Sequence, residues 1–117
     1  MELVARILVG IVAAIHVYIL VLEMFLWQTD RARAAFGTTA GFARESAALA
    51  ANQGLYNGFL AAGLIYGLMT DSAEFQIFFL CCVIIAGIYG AITATRRILY
   101  VQVIPAALAL LAILLAR

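Results

Sequence analysis

Charge is what this sequence has least of. Of its 117 residues, 11% are charged and 68% are hydrophobic, with a mean hydropathy of +1.14. A soluble domain of this length is about a quarter charged. The apolar excess runs the length of the chain, which excludes a single anchor attached to a soluble domain. A formal net charge of +1 gives no electrostatic footprint for nucleic acid. Histidine is nearly absent as well: His16 stands alone, so one chain has no histidine pair for a metal or a haem. The helical metal spacings ExxH and HExxH are missing, and His16 and Glu23 lie about 10.5 Å apart along a straight helix, too far to share an ion. No metal site is expected, and the pattern names no cofactor. The two cysteines, Cys81 and Cys82, are adjacent; neighbours on a helix point about 100° apart, so they are expected to be buried, inert and unbridged.

Long apolar runs are what the chain does have. The first, residues 7–27, exceeds a signal-peptide core of about 7–15 residues and has no small-residue cleavage site after it. Together with 47–69, 75–95 and 98–115 it meets the requirement of about 20 residues for crossing a bilayer. Short connections at 70–74 and 96–97 make neighbours antiparallel. The expectation is an all-α integral membrane protein, a single domain over 1–117 forming an up-down-up-down bundle of four transmembrane helices. The longer connection, 28–46, holds two helix signatures: Thr29 caps a short turn ending at Gly37, and Thr39 caps an extension of the second span.

Arginines set the orientation. Arg31, Arg33, Arg44, Arg96 and Arg97 fall in the first and third connections, against Arg6 and Arg117 on the other side. The first and third connections are therefore expected in the cytoplasm, with both termini outside. Arg31, Arg33 and Arg44, mixed with Phe36 and Phe42, suit attachment to anionic membrane lipid. Gly54, Gly58, Gly63 and Gly67 make two GxxxG spacings, Gly87 and Gly90 follow on the third span, and Ala106, Ala109, Ala112 and Ala116 line the fourth. Small residues let helices approach closely, either within one chain or between copies in a homo-oligomer.

Ionisable groups within spans suggest function, because leaving them without a partner is costly in lipid. At about 1.5 Å per residue, Glu23 lies roughly 6 Å inside Trp27, and Asn57 roughly 15 Å inside Ala47. His16, Glu23, Asn52, Gln53, Tyr56, Asn57, Tyr89, Thr93 and Gln102 gather in the half-membrane of the arginine-rich side. The other half has Tyr66 and otherwise aliphatic, aromatic or small residues. The asymmetry predicts a polar pocket open to the cytoplasm and closed by an apolar plug. Pro105 lies nearby and should free the Val101 carbonyl. A partly desolvated Glu23 is the candidate proton-active group; His16, Trp27, Asn52, Gln53, Tyr56, Asn57, Tyr89 and Gln102 are the candidate ligand-binding residues. The contrasting reading pairs Glu23 with Asn52, Gln53 or Gln102, or His16 with Asn57 or a tyrosine, merely to fix helix register.

Four runs read together carry a resemblance: His16 to Trp27, ANQGLYNGFLAAGL from Ala51 to Leu64, AGIYGAIT from Ala86 to Thr93, and Val101 to Ala106 around Pro105. The chain resembles the small bacterial membrane-protein family catalogued as domain of unknown function 1304. The resemblance implies a bacterial inner-membrane protein with four helices, and it implies no activity. The leading expectation is a binding protein or enzyme subunit for a small amphipathic molecule such as a quinone or lipid. A non-catalytic helical subunit of a larger membrane complex and an oligomeric transporter or channel are the alternatives.

Overall fold

The computed structural model describes residues 2–117. Six α-helices follow in order: α1 Glu2–Met24, α2 Asp30–Phe36, α3 Ala40–Glu45, α4 Ala47–Met69, α5 Ala73–Thr93 and α6 Ile104–Ala116, with a π-helical turn at Leu99–Val103 leading into α6. There is no strand among the described residues. Three stretches are long and apolar enough to cross a membrane: α1, α5, and Leu99–Ala116 taken together. The 23 residues of α4 are not among them, because Asn52, Gln53 and Asn57 dilute an otherwise apolar helix.

The four expected spans thus become six helices plus a π turn, for three local reasons. Thr29 accepts a hydrogen bond from the Ala32 N–H, and Gly37 closes α2 at a φ of 70°, a left-handed conformation open to glycine. Thr39 caps a separate α3 and does not extend the second span, since the chain bends at Ser46 before α4 begins. In the fourth span Pro105 supplies no N–H; the turn before it widens, and the Ile104 N–H donates to the Leu99 carbonyl.

The chain falls into two compact units. One consists of the described residues up to Ile15 together with Leu60–Arg117, and the other is His16–Phe59. The first unit holds a continuous apolar core of Val9, Val12, Leu64, Leu80, Val83, Ala106, Ala109, Ala112 and Ile113 with their neighbours. The alanine stripe is buried at Ala106, Ala109 and Ala112, while Ala116 is exposed. Cys81 and Cys82 are free and half-buried, short of the full burial expected from the sequence.

The end of α4 shows how this unit handles backbone polarity. The last carbonyls of a helix have no partner of their own, and three here receive side-chain donors. Each already accepts a backbone N–H from the turn, Tyr66 from Thr70, Gly67 from Ser72 and Leu68 from Asp71. The side chains add a second donor: Thr70 Oγ1 to Tyr66 at 2.7 Å, Gln76 Nε2 to Gly67 at 3.0 Å, and an Arg6 guanidinium nitrogen to Leu68 at 3.1 Å. Arg6 also meets Asp71 at 3.1 Å. Gln76 is 5% exposed. It corrects the expectation that the half-membrane away from the arginine-rich side holds only Tyr66 besides apolar residues: a position at the start of a span counts as interfacial in sequence, yet the α4–α5 turn folds its amide inward.

All four glycines of the two GxxxG spacings have atoms of their own chain against them. A Cβ on Gly63 would run into the Phe79 ring, whereas one on Gly10 would meet nothing within 4 Å. Gly63→Ala is therefore expected to destabilise the protein by about 1–3 kcal/mol through overpacking, while Gly10→Ala leaves it unchanged or slightly more stable. Unfolding titrations of both variants in detergent check this; equal effects would show that the Phe79 ring yields freely.

Candidate functional site

The His16–Phe59 unit is built on the second half of α1 lying against the first half of α4. Gly54 sets the approach: a Cβ there would sit 2.6 Å from the Met24 side chain and 3.1 Å from that of Glu23. Leu20 fills the equivalent space at Gly58. With backbones this close, Asn57 Nδ2 reaches Glu23 Oε1 at 2.6 Å, and the same amide nitrogen donates to the Gln53 carbonyl at 3.2 Å. Glu23 and Asn57 are each 7% exposed. The amide is thus tied to its own helix and aimed at the carboxyl, while no hydrogen bond reaches Glu23 Oε2 among the described residues.

The contact corrects the depths expected from the sequence, which placed Asn57 about 9 Å deeper than Glu23. Levelling Trp27 with Ala47 caused the error. Gly54 faces Met24 and Gly58 faces Leu20, so α4 begins about one turn beyond that level. The register also makes Asn57 the partner of Glu23, in place of Asn52, Gln53 or Gln102.

Past Glu23 the chain leaves the helix. Phe25 and Leu26 both donate their N–H to the Val21 carbonyl, at 3.0 and 3.1 Å. The carbonyls of Leu22, Glu23 and Met24 are left without a backbone donor among the described residues. The returning segment is latched by Trp27, whose Nε1 donates to Ser46 Oγ at 3.1 Å and whose ring meets Phe36 edge-on at 4.9 Å. Ser46 in turn donates to the Phe42 carbonyl at 2.6 Å. Ala32 and Ala43 are fully buried beneath α2 and α3. Between the end of α1 and this latch lies an open depression of about 300 Å³, lined by Glu23, Met24, Phe25, Trp27, Gln28, Thr29 and Ala47.

Of the residues singled out from the sequence, only Glu23 and Trp27 line this depression. His16 is fully buried and engaged, on the same helix face as Glu23. Asn52, Gln53 and Tyr56 are exposed, contrary to the expectation that they line a pocket. Asn52 donates back to the Ala48 carbonyl at 2.9 Å, and Tyr56 meets Phe59 edge-on. The face of α4 that carries Gly54 and Asn57 is the one turned to α1, which leaves these three on the remaining circumference. Tyr89 and Gln102 belong to the other unit; Tyr89 is exposed there, and Gln102 is half-buried with its Cβ against Gly87. Met24, Phe25, Gln28 and Thr29 were missed because the first span was expected to run to Trp27. The Thr29 cap already implied that the helix had to end before it.

Comparison with known proteins agrees with this whole-chain pattern: the family described as "Protein of unknown function (DUF1304)" matches residues 10–114. The chain belongs to that family. One similar curated protein is "Uncharacterized protein YpaA" of Lactococcus lactis subsp. lactis, 38% identical over 53 residues, a stretch covering 44% of each chain. No solved structure matches this member of the family.

If the 2.6 Å contact holds the two helices in register, Glu23→Ala and Asn57→Ala will each destabilise the protein. The double variant will lose less than the sum, by about 1–2 kcal/mol. A double-mutant cycle on detergent unfolding measures this, and strictly additive losses would remove the contact from the account of stability.

Proposed function

We propose that the protein is a four-span protein of the bacterial cell membrane that binds a small amphipathic ligand, such as a quinone or lipid, at the depression beside Glu23. One observation carries the reading: a carboxyl that is 7% exposed, with one oxygen held by an amide, borders an open space. Helix packing alone would be served by a pair with nothing beside it. Here the carboxyl is positioned by Asn57, the floor is the apolar end of α1, and Gln28 and Thr29 supply polar groups on the return.

In this reading α4 also spans the membrane, as the second of four spans, despite its dilution, since Asn57, its buried polar residue on the α1 side, is answered by Glu23. The arginine distribution supports a cytoplasmic location for α2, α3 and the connection around Arg96 and Arg97. The depression then opens to that side, with both termini outside; the first residue itself lies outside the described residues. Glu23 is the group that meets the ligand's polar head.

Native mass spectrometry of the protein released from its own membrane, beside Glu23→Gln, tests the reading. The expected result is a co-purifying small molecule on the wild type that is lost or strongly reduced in the variant. An empty protein in both forms, with equal stability, would sink the ligand and favour a helical subunit of a larger complex.

A further inference from the structure

Glu23 is a buried carboxyl that no basic side chain answers. Arg6 pairs with Asp71 and Arg33 with Asp30, and Arg31 donates to the Tyr18 hydroxyl at 3.4 Å. Asn57 offers Glu23 a dipole and no net charge. Burying a carboxylate without a counter-charge is costly: Glu23 either keeps its proton or is met by a positive group, and the depression it borders is an open side from which such a group can come.

The lining agrees on the sign of that charge. It contains one carboxyl and no arginine or histidine. Two of its lining residues, Glu23 and Met24, are the last of α1, and their carbonyls have no backbone donor among the described residues; a helix C-terminus carries partial negative charge. Trp27, also in the lining, offers the aromatic ring best suited to a cation. Carboxylate, carbonyls and indole all favour a positive group, and the exposed Phe25 beside them offers an apolar path for a tail.

We propose that the depression takes the ammonium head of an amphipathic amine. The proposal rests on the ligand-binding reading above and adds the charge of the ligand. The shared chemistry is an ammonium group on an apolar chain, carried by a free hydrophobic amine or by an aminophospholipid.

Trp27 is the only tryptophan in the chain, so its emission reports on the depression directly. The full chain in neutral maltoside micelles is titrated with decylammonium, decanol and decanoate, which share a tail and differ in charge. Decylammonium is expected to give a saturable change, with decanol and decanoate weaker by about tenfold or more, and Glu23→Gln to abolish the preference. A short-chain phosphatidylethanolamine that displaces decylammonium assigns the site to a membrane lipid; failure to displace it assigns the site to free amines. Decanol or decanoate matching decylammonium, or no response to any of them, overturns the proposal. That comparison on the wild type needs no variant to fold. A molecule still retained in native mass spectrometry would then keep the ligand-binding reading standing without the cation.

Discussion

A helix ending in apolar surroundings must find donors for its last carbonyls, and this constraint organises the chain. Apolar surroundings offer none, and each unsatisfied group there costs several kcal/mol. At the end of α4 the N–H groups of Thr70, Asp71 and Ser72 in the tight turn to α5 serve the carbonyls of Tyr66, Leu68 and Gly67, and the side chains of Thr70, Arg6 and Gln76 add a second donor to each. Asp71 sits at a φ of 53° and Ser72 caps α5 by accepting from the Phe75 N–H at 3.2 Å. Before α6 the lost donor at Pro105 is accommodated by widening the helix into a π turn. The end of α1 is treated differently: the carbonyls of Leu22, Glu23 and Met24 take no backbone donor among the described residues, and Glu23 and Met24 line the open depression.

Sequence patterning made most of the helical layout legible. The second span was located at the limits α4 shows, because an apolar run bounded by Ser46 and the Thr70–Asp71 turn has clear edges. The Thr29 cap and Gly37 terminator were legible for the same reason: each works through its own few residues. What escaped was non-local. Nothing along the chain announces that Gln76 folds back onto Gly67, or that α3 and α4 part at Ser46. Both depend on how the chain closes on itself.

The site was legible in its residues and not in its register. Glu23, His16 and Asn57 stood out because polar groups in apolar helices are rare. Which of them meet follows from glycine contacts: Gly54 and Gly58 fix how α4 slides along α1, and a slide of one turn changes the partner of Glu23. The same contacts decide which side of α4 faces inward, and that removes Asn52, Gln53 and Tyr56 from the lining. Depth counted from span edges carries an error of about a turn, comparable to the spacing between candidate partners.

The choice of asparagine as the partner of Glu23 has a consequence that arginine would not. An arginine would compensate the carboxylate and hold it bidentately, closing the site electrically as well as sterically. An amide fixes one oxygen and leaves the charge to be compensated from elsewhere. Asn57 is itself anchored by the Gln53 carbonyl, so it orients the carboxyl without following it. A scaffold that needs only a fixed register has no use for leaving that compensation open. A site that exchanges positive groups does, because the compensating charge must be able to arrive and depart. The basic side chains nearest in sequence are engaged elsewhere, Arg31 with Tyr18 and Arg33 with Asp30. The fold therefore withholds its own cations from the one buried carboxylate it keeps beside an opening.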